Sequence, residues 1–237
     1  MILSIDTSTT VCSVALHEGD KLLGCYELYT ERTSAAMLTT LIDNVVRHTG
    51  HELSALDAIA VAKGPGSYTG LRIGVSTAKG LCFALDKPLL AINTLQALTE
   101  QVRLLPHPQP LPLKQGEGGF YCPMIDARRM EVYCAMYDAD GREVQPTSAQ
   151  IIDEQSFAEW LERGSVLFFG DGAAKCRPVL GNHPNAQFLD QVVQPSARTV
   201  GALASVAFAE GRFENVATFE PYYLKEFMTT VPKRLVV

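Results

Sequence analysis

Several features that would place this chain at a glance are missing. No stretch approaches the ~18 uninterrupted apolar residues that cross a bilayer. The opening MILSIDTSTT has no basic leader, and Asp6 breaks its apolar run, so it reads as a first strand and not as a signal peptide. A cytoplasmic protein without a membrane partner is the expectation. A basic excess is also missing: 20 Lys and Arg stand against 26 Asp and Glu, for a formal charge of -6. Phosphate backbones are gripped by clustered cations that release counterions, so any RNA is expected to be held mainly by a more basic partner.

The six cysteines (Cys12, Cys25, Cys82, Cys122, Cys134 and Cys176) show no CxxC and no paired metal spacing. Four lie in apolar, strand-like runs, where Cys behaves as a small buried hydrophobe. Cys12 and Cys25 are expected to face each other across a hairpin and to stay reduced. His17, His48, His51, His107 and His183 are scattered over turns, a helix end and a Pro-rich stretch, which offers no zinc set. Charged residues are only 19% and hydrophobic ones 47%, enough for one large core or two modest ones and too apolar for disorder.

What is present is an alternation of strand and helix patterns. Residues 2–5, 11–16 and 22–28 read as three strands joined by polar turns. A helix follows, capped by Thr33 or Ser34, with Met37, Leu38, Leu41, Ile42, Val45 and Val46 as a wide apolar stripe ended by Gly50. Residues 56–62 form a strand, 69–85 a helix stopped by Pro88, and 89–92 a strand; Thr94 caps a third helix over 95–102. The order βββαβαβα implies a mixed sheet flanked by helices, the half-unit of the actin-like, sugar-kinase and Hsp70 architecture.

Alternate prolines at 106, 108, 110 and 112, followed by Gly116, Gly118 and Gly119, interrupt the pattern and read as an exposed linker or insertion. Strands resume over 120–125 and 131–137, and Asp138-Ala139-Asp140-Gly141 turns into another near Val144. Helix 157–163, strand 166–169, helix 173–180 and a Ser196-capped helix to Gly211 complete a smaller, degenerate second copy. The expected division is an actin-like half over 1–103, the linker over 104–119, a second half over 120–195, and a C-terminal helix and tail over 196–237.

The informative stretch is GPGSYTGLRIGVSTAKGL, residues 64–81. A strand, a Gly-rich turn and a helix N-terminus can present backbone N–H groups to an anion. It is neither a Walker A loop nor GxGxxG, and Pro65 removes a donor. Gly70, Gly74 and Ala78 fall at i, i+4 and i+8, and Gly80 and Ala84 add a second small-residue row. Each interior glycine costs about 1 kcal/mol relative to Ala, so another element must lie close to the helix backbone. That element is either the chain's own sheet or a helix of another protein.

This signature resembles that of the family of bacterial tRNA threonylcarbamoyladenosine biosynthesis proteins, which holds TsaB and its catalytic paralogue TsaD. The start ILSIDTSTTVCSVAL, the segment IDARRMEVY (125–133) and the tail PYYLK (221–225) agree with the TsaB side, in the right order along almost the whole chain. The Pro-rich stretch is the exception. The resemblance implies an actin-like ATPase fold and a non-catalytic subunit of the complex that transfers threonylcarbamoyl from its adenylate to N6 of adenosine 37 in tRNA. A free-standing actin-like-fold enzyme, an ATP-dependent transferase or hydrolase, is the alternative.

Catalytic members carry two metal-binding histidines one helical turn apart; the corresponding positions here are Thr94 and Leu98. No metal and no intrinsic cofactor are therefore expected, with ATP or ADP placed at a partner interface. The implied partners are a TsaD-like catalytic subunit, a TsaE-like ATPase, a second copy of the chain when alone, and tRNA indirectly. The pairing residues are expected to be Met37, Leu41, Val45, Gly70, Gly74 and Ala78, so that Gly74→Leu would abolish pairing and leave the monomer folded. Asp6, Ser67, Thr69, Arg72, Arg128, Arg129 and Glu131 are the candidates for nucleotide or cleft contacts. Asp6 is read either as an exposed carboxylate suited to a Mg²⁺-bound nucleotide or as a turn cap.

Overall fold

The computed structural model describes residues 1–29, 34–104 and 119–225. The expected Thr33 cap, the prolines and His107 of the linker, and the residues after Lys225 lie outside them. In the first sheet, β1 (Ile2–Asp6), β2 (Cys12–Glu18) and β3 (Lys21–Leu28) form an antiparallel meander. Next, β4 (Ala58–Gly64) and β5 (Leu89–Asn93) join in parallel, giving the order β3-β2-β1-β4-β5. Parallel neighbours need crossovers, and α1 (Ser34–His48) and α2 (Tyr68–Leu85) supply them.

The second sheet contains β6 (Phe120–Asp126), β7 (Glu131–Asp138), β8 (Glu143–Ile151), β9 (Val166–Phe169) and β10 (Ala186–Phe188) in the order β10-β9-β6-β7-β8. Its crossover helices are α4 (Ala158–Arg163) and α5 (Ala173–Leu180). Read from β8, the order repeats that of the first sheet. The two halves thus share the actin-like topology expected from the element order. Strand β10 escapes a sequence reading because three half-buried residues carry no alternation.

Period-two alternation sends the two faces of the first sheet to different covers. Leu3, Ile5, Val14 and Leu16 pack under α1 and α2. Ile2, Ala60, Ala62 and Ile92 pack under Val200, Ala204 and Ala207 of α6 (Ala197–Ala209), so the last helix returns to the first sheet. Its fit needs Gly201, where a Cβ would stand 2.2 Å from His17 Nδ1. The helix between the sheets, α3 (Thr94–Leu104), sets Leu95, Leu98 and Val102 against Tyr121, Ile125 and Tyr137 and thereby joins the halves. No helix among the described residues is long and apolar enough to cross a membrane.

Local details correct three expectations. Asn93, and not Thr94, caps α3: its Oδ1 accepts from Leu95 N at 2.8 Å and Gln96 N at 3.3 Å, while Thr94 is buried. Cys12 lies opposite Leu28 and Cys25 opposite Ala15, so the two thiols do not face each other. The expected pairing row also turns inward. Leu41, Val45 and Ala78 are buried in the chain's own core, and Met37 is half-buried. A Cβ on Gly70 would meet Thr7 O at 2.0 Å, and one on Gly74 would meet Thr7 Oγ1 at 2.3 Å.

The row of small residues therefore brings α2 onto the end of its own β1, leaving Ser76, Gly80 and Ala84 on the exposed side. Gly74→Leu is expected to destabilise the isolated chain by at least about 3 kcal/mol, the scale of severe overpacking. Urea denaturation of the monomer measures it, and an unchanged midpoint would return Gly74 to the surface.

Candidate functional site

The strand-end turns of the two halves are joined at one mouth by residues 222–225, which reach Lys63 and Tyr68 in the first and Ala127 and Glu131 in the second. Strand β1 ends in Asp6, whose Oδ1 accepts from Ser8 N at 2.8 Å and Ser8 Oγ at 2.6 Å. Asp6 is only 1% exposed, which removes it as an accessible Mg²⁺ ligand and leaves it as the turn cap. The Gly-rich turn lies against that loop: Ser67 N donates to Ser8 O at 2.6 Å, and a Cβ on Gly66 would stand 2.2 Å from the same oxygen. Ser67 also caps α2, its Oγ accepting from Gly70 N at 3.3 Å. Thr69 and Arg72 follow on the exposed first turns of α2.

The second half repeats this arrangement. Gly172 N donates to Met124 O at 3.0 Å, and Asp126 N to Asp171 Oδ1 at 2.9 Å. Gly170, at φ 99°, sits where a Cβ would meet Met124 O at 2.3 Å. The amides at Ser67, Gly70 and Gly172, which a phosphate loop would offer to a ligand, are thus spent on the chain's own oxygens. Thr94 and Leu98 are fully buried, Leu98 in the core between α3 and the second sheet. Among the described residues no three His, Cys, Asp or Glu side chains are placed to hold a metal ion.

The hairpin between β6 and β7 carries Arg128 and Arg129 at its tip, both exposed and both in the left-handed region (φ 68° and 51°). Such a pair is uncommon outside Gly and Asn. It is fixed by Arg128 N donating to Asp126 Oδ1 at 2.8 Å and Glu131 N to Arg128 O at 3.3 Å. The nearby carboxylates are already engaged: Asp126 pairs with Lys175 and Glu131 with Lys225. No ion pair holds either arginine among the described residues.

One segment gathers these parts, and the sequence reading used it only as a family mark. Tyr222 N donates to Lys63 O at 2.7 Å, and Tyr223 stacks on Tyr68 with centroids 4.6 Å apart. Tyr222 Oη donates to Thr147 O at 3.4 Å, and Lys225 reaches Ala127 O at 3.4 Å as well as Glu131. Three residues span at most about 11 Å. The tail therefore straps the Gly-rich turn of the first half to the Arg-bearing hairpin of the second. Ser67 and Glu131, both expected at the site, are brought to this mouth. The signal that would have found the strap is its composition, two tyrosines and a lysine directly after Pro221.

Burial raises the Asp6 carboxyl from 3.8 to about 6, against a smaller opposing pull from the Ser8 hydrogen bonds. Below 3.8 the group is neutral in both folded and unfolded chains and burial of a charge costs nothing. Above about 6 the folded chain must hold a buried carboxylate that the unfolded chain ionises freely, so stability falls as pH rises through this window. A shift of this size corresponds to about 3 kcal/mol. Asp6→Asn should gain about that much relative to the parent between pH 4 and pH 8, measured by urea midpoints. Parallel pH curves for the two proteins would show that Asp6 does not titrate there.

Comparison with known proteins agrees with this geometry. The family model described as TsaD, tRNA N6-adenosine threonylcarbamoyltransferase, matches residues 28–226. The tRNA threonylcarbamoyladenosine biosynthesis protein TsaB of Escherichia coli (strain K12) is 29% identical over 235 residues, covering 94% of each chain. Its namesake from Bacillus subtilis (strain 168) is 29% identical, with 87% of this chain and 80% of the relative covered. The solved structure of YeaZ from Pseudomonas aeruginosa superposes with a TM-score of 0.76 at 30% identity, over 94% of this chain and 99% of that one. The matched span takes in the Gly-rich turn, the Arg-bearing hairpin and the strap alike. The chain belongs to the TsaD family of tRNA N6-adenosine threonylcarbamoyltransferases, and along nearly its whole length it is a TsaB-like protein of tRNA threonylcarbamoyladenosine biosynthesis.

Proposed function

We propose that this chain is a non-catalytic subunit of the complex that transfers threonylcarbamoyl to N6 of adenosine 37 in tRNA, pairing with a TsaD-like catalytic subunit. The observation that supports this reading is that amides of the Gly-rich turn and of the turn after β9 are engaged by the chain itself, through Ser67 N on Ser8 O and Gly172 N on Met124 O. By the family resemblance, Thr94 and Leu98 correspond to the metal-binding histidines of catalytic members; both are buried, and neither replaces an imidazole. ATP or ADP then belongs at the partner interface and to a TsaE-like ATPase, and tRNA is met through the assembled complex.

The pairing surface is the outward side of α2. Ser76, Gly80 and Ala84 form an exposed small-residue row on which another helix backbone can lie, and a Cβ on Gly80 would touch nothing. Beside them Phe83 is 88% exposed, an aromatic anchor of the kind that dominates protein interfaces. The same surface serves a homodimer when the partner is absent.

Light scattering on the chain mixed with the TsaD-like subunit of the same source should show a mixed species. Phe83→Asp should weaken it by about thirtyfold without shifting the melting of the isolated chain. Persistence of the mixed species in that variant would remove α2 as the interface, and no complex with or without nucleotide would end the pairing reading. Arg128→Ala should leave pairing intact and lower the transfer rate of the assembled complex by about tenfold. Full activity would take the hairpin tip out of the site.

A further inference from the structure

Away from the mouth, no described residue guards the outer edge of the second sheet over part of its length. Natural edges are shortened, charged, interrupted by proline or covered. The β5 edge is bridged by Glu214, β10 is three residues long, and β3 carries Lys21 and Glu27. Strand β8 has Glu143 and Pro146 in its first part, and the strap reaches it at Thr147. Residues 148–151 carry no charge, no proline and no glycine, and Ile151 is 73% exposed.

A groove continues from this edge. An open cavity of about 570 Å³ is lined by Gln145, Gln150 and Ile151 from β8 and by Trp160 from α4. A second, of about 610 Å³, shares Asp153 and Gln155 with it and adds Met130 and Ile152. Asp153, Glu154 and Glu159 are the charged residues among the described lining, and the Arg163 guanidinium lies over the Trp160 and Phe120 rings.

The groove is pre-organised. Trp160 Nε1 donates to Gln145 Oε1 at 2.7 Å, and the Arg163 guanidinium lies 4.5 Å from the indole centre. The corner is tied by Asp153 Oδ1, which accepts from Gln155 N at 3.0 Å and Ser156 Oγ at 2.9 Å. Phe157 holds a left-handed backbone (φ 65°), uncommon for a bulky residue. A wall fixed in advance loses little freedom when something binds.

We propose that this groove takes an extended, basic segment of another protein, laid along the free edge of β8. Strand addition supplies main-chain hydrogen bonds, with an apolar side chain against Ile151 and cationic ones beside Asp153 and Glu159. The charge of the lining selects the occupant. A second copy of this chain, with its net charge of -6, would bring like charge to a carboxylate-lined wall.

Trp160 is the only tryptophan, so its fluorescence reports on the groove directly. A short peptide alternating lysine and valine is titrated into the full chain, beside a glutamate–valine version and a lysine–valine version interrupted by proline. The lysine–valine peptide should shift the emission, and the other two should not. Ile151→Lys and Glu159→Lys should each weaken that binding by about tenfold while the melting curve stays unchanged. Equal binding of the glutamate peptide, or no loss in either variant, overturns the proposal. A dimer in light scattering that Ile151→Lys dissociates assigns the edge to a second copy and overturns it as well.

Discussion

The contact on which the rest depends is the close approach of α2 to the end of β1. Gly70 and Gly74 let the helix backbone come within reach of Thr7, whose Oγ1 donates to Gly70 O at 2.7 Å. With the helix seated so low, the turn before it has nowhere to go but onto the Asp6–Ser8 loop, where Ser67 N finds Ser8 O. The same sequence feature that permits tight packing thus turns the Ser67 amide onto the chain's own Ser8 O. A glycine-rich turn in front of a helix is generally read as an anion site. Here the chain supplies the acceptors itself.

The second half shows that this is a pattern and not an accident of one loop. Gly170 and Gly172 bring the turn after β9 against Met124 and Asp126 in the same relation. Two copies of one topology therefore end in two filled turns, bridged by the strap at Tyr222, Tyr223 and Lys225. What remains exposed is suited to contact: a small-residue row with Phe83 on one face, the exposed Arg128 and Arg129 at the mouth, and an acidic groove on the far edge.

Much of this was legible in the sequence, and the failures have physical causes. Element order and type followed from periodicity and from turn residues, and the 64–81 signature placed the chain in its family. Direction was not legible. The i, i+4, i+8 row of Gly70, Gly74 and Ala78 demands a close neighbour but does not say which, and the structure gives it to Thr7 and the chain's own sheet. The stripe of Leu41 and Val45 was core for the same reason. Asp6 caps its turn, one of the two roles open to it, but its burial was not legible because nothing local announces the distant loop packed against it. Asn93 takes the cap because it stands one residue before the helix begins at Thr94, where its side-chain oxygen meets the amides two and three residues on. The strap joins residues more than 70 positions apart, a relation that no window along the chain contains.

The return of α6 to the first sheet has a consequence for how the protein is made. Ile2, Ala60 and Ile92 leave the ribosome more than a hundred residues ahead of their cover, Val200 and Ala204. Contacts of such separation form late and leave apolar surface open in the meantime. The nascent first half waits with one side of its sheet uncovered while the whole second half is synthesised. A chain stopped before residue 197 would carry that open side permanently, exposing a line of small alanines to whatever chaperone or neighbour meets it first.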